Sequence, residues 1–149
     1  MKMTDASPLD RKTWMAMLAK APAVRLAALL PDLPPHSVLR QPEIGAVMVR
    51  GRVGATGAAF NLGEMTVTRA SVRLASGEAG HAWVQGRDKG HALRAAAIDA
   101  LMQTDAANDL TSRVLKPLEA EAQAARASRA DKAAGTKVDF FTLVRGEDK

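Results

Sequence analysis

The chain has 149 residues, 47% of them hydrophobic, a formal charge of +5 and a pI near 10. That length suits one domain burying about two-thirds of its unfolded surface, and the basic balance attracts anions without choosing among nucleic acid, metabolites and acidic protein faces. Cysteine is absent, which excludes disulfides, thiolate metal sites and a cysteine nucleophile, and no apolar run reaches membrane-spanning length because Asp99 interrupts the longest. The start, MKMTDASPLDRK, has no apolar leader segment, so a cytoplasmic protein is expected.

In chain order, Met1 to Ser7 is polar. Pro8 to Lys20 reads as a helix, with Ser7 as N-cap, Pro8 at the first helical position and Asp10 in the first turn. Trp14, Leu18 and Ala21 form its inner stripe. Pro22 opens a second short helix, Ala23 to Leu30, with Val24, Ala27, Ala28 and Leu30 available for burial, and Pro31, Pro34 and Pro35 stop it. These two helices make an opening helical hairpin over residues 1–35.

Nine of the eleven glycines lie between Gly45 and Gly90, and no proline occurs from Glu43 through Lys116. Short Val-, Thr- and Arg-rich runs between glycines predict an antiparallel meander over residues 37–86. Ser37 to Arg40 is a short strand before a Gln41–Pro42 break. Ala46 to Val53 is a firm strand in which Val47, Val49, Gly51 and Val53 alternate with Met48, Arg50 and Arg52, giving one apolar and one basic face. Gly54 to Gly57 is a loop. Glu64 to Leu74 is the second strand; its apolar side changes midway, which predicts a bulge near Arg69 or a start buried on both sides. Gly80 to Gln85, with Trp83 as its largest side chain, is the third.

Asp88 caps a helix from Lys89 to Gln103, with Leu93, Ala96, Ala97, Ala100 and Leu101 as its inner stripe. Ala106 to Lys116 is helical, and Leu118 to Lys132 is helical in propensity but nearly lacks an apolar face. These make a helical layer over 88–132. The end, KVDFFTLVRG, alternates as a terminal strand over 137–145, suited to strand addition on its own sheet or a neighbour's. Phe140, Phe141, Leu143 and Arg145 are its candidate partner-interface residues. The whole is a single α+β domain, 1–149. Its core is poor in large aromatics, with two Trp, three Phe and no Tyr, so part of the stabilising burial is expected from partner subunits.

Few residues suggest chemistry. The Gly54–Gly57 loop lacks the lysine and the strand–helix setting of phosphate-binding loops. His36, His81 and His91 have no metal-ligand spacing, so no metal site is expected. Arg50, Arg52, Arg69, Arg73 and Arg87 are the candidate substrate- or anion-binding set. If the first two strands pair, four of these guanidiniums converge on one face, where they serve either as a phosphate or carboxylate clamp or as a solvated, ion-paired surface.

Four ordered blocks go further than composition. RGRVGATGAAFNLGEMTVTRASVRL (Arg50 to Leu74), WVQGRDKGHA (Trp83 to Ala92), IDALMQ (Ile98 to Gln103) and VDFFTLVRG (Val138 to Gly146), with WMAMLA at Trp14 to Ala19, resemble the G-subunit family, PhnG, of the bacterial carbon–phosphorus lyase core complex. The likeness spans nearly the whole chain; Ala55 departs from it, standing where a second glycine is expected. The resemblance implies an accessory, architectural subunit closest to the I subunit, with H and J subunits as further partners and two copies per complex. It implies support for a step in which a phosphonate replaces adenine at the ribose anomeric carbon of ATP. It implies no cofactor in this chain, the iron–sulfur cluster and S-adenosylmethionine of the later cleavage belonging to the J subunit. The rival from another class is a basic single-stranded nucleic-acid-binding module, weakened because no aromatics interleave with the arginines.

Overall fold

A computed structural model describes residues 9–138. Residues 139–145 of the predicted terminal strand, with Phe140, Phe141, Leu143 and Arg145, lie outside them, as do Ser7 and Pro8, while Lys137 and Val138 are described and belong to no strand. The described residues fall into two compact units, 9–119 and 120–138.

In the first unit, helix α1 (Arg11–Lys20) starts from Asp10, whose carboxylate accepts the Thr13 amide at 2.9 Å. Asp10, not Ser7, is therefore the N-cap. That bond holds the Asp10 carboxyl below its ordinary pKa. Helix α2 (Ala23–Leu29) follows Pro22 and buries Leu26, while Val24 is exposed, contrary to expectation. In so short a helix only one position per turn faces the core. Both helices pack on the helix that follows the sheet.

The sheet is a three-stranded antiparallel meander in the order β1-β2-β3. β1 (His36–Arg52) and β2 (Ala59–Leu74) are much longer than predicted; β3 spans Ala79–Gln85. The Gln41–Pro42 break proves to be a double register shift within one strand, between Val38 and Arg40 and between Arg40 and Glu43. β1 is an edge strand, where a proline lacking its N–H fits at a bulge. β2 itself runs through Arg69 without a shift against β3, so the bulge expected there is absent; Val67 and Thr68 are both buried instead, the two-sided burial that was the alternative. β3 pairs only with residues 67–73 of β2, while β1 follows β2 to Arg52↔Ala59. Beyond β3, residues 46–52 and 59–66 thus form a two-stranded ribbon. A tight turn at Val53–Ala55 joins its strands, with Gly54 at φ 58° and Ala55 at φ 67°. Ala55 is the one non-glycine with positive φ among the described residues, at the position where the resemblance called for glycine.

Helix α3 (Lys89–Leu101), capped by Asp88 on the His91 amide at 2.9 Å, covers the inner sheet face. Its contact is close because both surfaces are small. A Cβ on Gly80 would stand 1.9 Å from the Ala96 carbonyl oxygen and 2.6 Å from the Ala100 nitrogen, so only glycine fits. Ala92, Ala96, Ala97 and Ala100 are fully buried with Val72, Val84 and Ile98. Close approach thereby compensates for the scarcity of large side chains. Arg94 ties α2 to α3, its Nε donating to the Leu30 carbonyl at 2.8 Å. The His91 ring, 4% exposed, meets the Leu18 carbonyl through Nε2 at 2.8 Å. A carbonyl only accepts, so Nε2 carries the proton.

Helix α4 (Ala107–Leu110) runs through a wider turn, Thr111–Leu115, into α5 (Lys116–Gly135). In that turn the Lys116 amide reaches back five residues to the Thr111 carbonyl. Pro117 supplies no N–H, and its ring would strike the Arg113 carbonyl in a regular α-helix, so widening just before it relieves both problems. Val114, Leu115 and Leu118 join the core. In the second unit every residue from 120 to 138 is exposed, as a helix without an apolar face requires. No helix among the described residues is long and apolar enough to cross a membrane.

Candidate functional site

Among the described residues of the first unit no helix packs on the outer sheet face, which carries a polar and aromatic cluster. Glu43, Arg69 and Trp83 stand in register across the three strands. Arg69 donates to Glu43 Oε2 through Nε at 2.9 Å and Nη2 at 2.8 Å, and Arg40 reaches the same oxygen at 3.3 Å. The hydrogen bond from Arg69, then its charge and that of Arg40, hold the Glu43 carboxyl below its ordinary pKa. The Arg69 guanidinium lies 5.5 Å from the Trp83 ring centroid, a cation–π distance. One row along, Ser71 Oγ and His81 Nδ1 are 2.8 Å apart. A cleft of about 280 Å³ opens between Glu43, Arg69, Trp83 and residues 44–46. Trp83 itself is 51% exposed, an uncommon state for the largest side chain of a sheet.

The ribbon continues this face. Val47 pairs with Met65 and Val49 with Gly63; a register shift follows, after which Gly51 pairs with Phe60. The two residues of the bulged strand, Leu62 and Gly63, then lie on one side. A Cβ on Gly51 would meet the Phe60 ring at 3.6 Å and Leu62 Cβ at 3.9 Å, which puts those three together. Val47, Val49, Phe60, Leu62 and Met65 thus form an apolar stripe, with Phe60 at 42% and Leu62 at 66% exposure. The opposite face carries Met48, Arg50 and Arg52.

The arginine set does not converge. Arg69 and Arg73 lie on the outer sheet face, whereas Arg50 and Arg52 are on the opposite face of the ribbon by strand alternation. Arg50 pairs with Asn61, eight residues along β2 from Arg69, or roughly 27 Å. Strand pairing was foreseen correctly, but the register offsets the arginines along the hairpin. Arg52 donates to the Gly57 carbonyl at 3.1 Å, and Arg87 is exposed in the turn before α3.

Sequence reasoning passed over Asp99, which it treated only as an interruption of an apolar run. Its carboxylate is fully buried in α3 and accepts four hydrogen bonds: Arg11 Nε at 3.1 Å, Arg11 Nη2 at 2.7 Å, Trp14 Nε1 at 2.8 Å and the His81 amide at 2.8 Å. The bond to Asp99 raises the Arg11 pKa. One side chain therefore fastens α1 and β3 to α3. Two signals pointed there: a charge inside an alanine stripe, and a tryptophan needing an acceptor. Among the described residues no three His, Asp or Glu side chains gather as a metal site.

These features define a class of protein: a small α+β domain in which an apolar β-ribbon continues the outer sheet face beyond β3. Comparison with known proteins gives the family. Residues 9–146 match the model of the phosphonate metabolism protein PhnG. The chain is also 43% identical over 147 residues, 97% of its length and 94% of the relative's, to the alpha-D-ribose 1-methylphosphonate 5-triphosphate synthase subunit PhnG of Rhizobium meliloti (strain 1021). The chain belongs to the PhnG family.

Proposed function

We propose that this chain is an accessory subunit of a ribose 1-phosphonate 5-triphosphate synthase acting in phosphonate catabolism, and that its work is positioning. The identity of 43% across nearly the full length of a synthase subunit carries the reading. In the reaction a phosphonate oxygen bonds to the ribose anomeric carbon of ATP as the bond to adenine breaks, and adenine leaves with a proton. Phosphonate and ATP are both polyanions, so orienting them and balancing their charge is most of the task.

In this reading the catalytic groups belong to the I subunit. The present chain holds that subunit's geometry through the outer sheet face and ribbon, with H and J subunits completing a cytoplasmic assembly that contains two copies of this chain. Two observations support an architectural role. Phe60, Leu62 and Trp83 stand exposed along one continuous face, and the guanidiniums are spread over two faces instead of gathered into a clamp. No cofactor is assigned to this chain; the iron–sulfur cluster and S-adenosylmethionine are assigned to the J subunit.

Co-expression with the I, H and J subunits, followed by native mass measurement and an adenine-release assay, tests the proposal. The chain is expected in the assembly, and its omission should abolish or sharply lower adenine release. A synthase that assembles and releases adenine at full rate without it would overturn the reading.

A further inference from the structure

An isolated two-stranded ribbon is at best marginally stable in water. Here residues 46–52 and 59–66 extend past β3. Their open edges carry neither lysine nor proline, since no lysine occurs between Lys20 and Lys89 and no proline between Pro42 and Pro117, and the bulge at Leu62–Gly63 is the one edge device they have. The two faces also differ in chemistry. The stripe of Val47, Val49, Phe60, Leu62 and Met65 bears no charge. Arg50 and Arg52 project from the other face, two residues or about 7 Å apart along the strand, and neither has a carboxylate partner among the described residues.

Taking the chain as a synthase subunit, as proposed above, we propose that the ribbon is clasped by one protein partner that covers the stripe with an apolar groove wall and meets Arg50 and Arg52 with carboxylates. Charge chooses this occupant over the two alternatives. A second copy would offer the stripe an apolar mate. Residues 46–66 of that copy, however, carry one carboxylate, Glu64, against two guanidiniums, so like charge predominates. A nucleic acid would satisfy the arginines but bring phosphates or bases to a stripe with no cation to receive them. An acidic-walled apolar groove matches both faces at once, and desolvated guanidinium–carboxylate pairs would fix its register on the ribbon.

The absence of native cysteine makes the test clean, because any introduced thiol is unique in this chain. Leu62→Cys and Phe60→Cys report the stripe, and Val24→Cys, at an 84% exposed position on α2, is the reference. Within the co-expressed assembly of defined subunits, maleimide should label the two stripe thiols on the order of 100-fold more slowly than the Val24 thiol, with the difference lost on denaturation. The double reversal Arg50→Glu/Arg52→Glu should weaken retention by the other subunits by about tenfold or more, while Lys12→Glu leaves it unchanged. Stripe thiols that label as fast as the reference, in an assembly that still retains the chain, would overturn the clasp and leave the subunit reading standing. Protection without any effect of the double reversal would overturn the acidic wall. So would protection in the isolated chain at twice its mass, which would make the occupant a second copy, or protection abolished by nuclease. Failure of the other subunits to retain the wild-type chain would overturn the subunit reading and the clasp together.

Discussion

Asp99→Asn tests the packing logic most directly, because it removes one charge while keeping the shape of a fully buried side chain. The carboxylate accepts four donors, two from Arg11, one from Trp14 and one from the His81 amide. An asparagine offers one acceptor oxygen, and its NH₂ group faces donors where the second oxygen stood. Arg11 has an exit, since 44% of its side chain is exposed, and it can turn to water. Trp14 Nε1 and the His81 amide compete for the remaining oxygen, and a buried donor left unmade costs about 1–3 kcal/mol. Adding the lost charge-assisted pair brings the expected destabilisation to roughly 3–5 kcal/mol. That is a large fraction of the ~5–15 kcal/mol that holds a domain folded. With a urea m-value of about 1.5 kcal/mol/M, the unfolding midpoint should fall by roughly 2–3 M. Tryptophan fluorescence reads it, and a Trp83→Phe background leaves Trp14, at the network itself, as the sole reporter. Arg11→Ala should cost less, because it leaves the Trp14 and His81 bonds in place. A midpoint within ~0.5 M of wild type for Asp99→Asn, equivalent to less than about 1 kcal/mol, would refute the claim that this carboxylate fastens α1 and β3 to α3.

Gly80→Ala should destabilise by about 3 kcal/mol or more, since the new methyl would meet the backbone of Ala96 and Ala100 and force α3 off the sheet; a loss below about 1 kcal/mol in urea unfolding would contradict the close approach. Ala55→Gly should stabilise by roughly 0.5–1 kcal/mol, because relief of the left-handed strain outweighs the extra unfolded-state freedom of glycine. Ala55→Val should act in the opposite sense, and both read out in thermal unfolding. Glu43 has a depressed pKa in the folded chain, so its contribution is fully present above the ordinary glutamate value of 4.5 and fades as pH falls below it. Glu43→Gln should therefore flatten the acid limb of the stability–pH profile while changing its dependence above pH 5 little; an unaltered acid limb would mean that the Glu43–Arg69 pair is not formed in solution.

Periodicity made much of this protein readable before any fold was known. The Asp88 cap, the glycine-punctuated meander and the alternation of Val47, Val49 and Gly51 with Met48, Arg50 and Arg52 are local patterns, set by residues a few places apart, and are found as read, whereas Val53, read as the end of that apolar face, stands exposed in the turn. The expectation of glycine at position 55 came from the family resemblance, and Ala55 there adopts the positive φ that favours glycine. What depended on distant partners was not legible. Asp99 meets Arg11, 88 positions away, and Trp14, 85 positions away, so no window of sequence shows that the charge inside an alanine stripe is satisfied. The arginines alternate correctly on their strands, yet whether they share a place depends on register, which the shifts between Val38 and Glu43 and beside Leu62 decide. The bare ribbon follows from β3 ending at Gln85 while β1 and β2 continue. Residue types and short-range spacing determine which elements form and which faces are apolar; only the tertiary pairing decides which of those faces the chain covers itself, because burial depends on surfaces that meet from far along the chain.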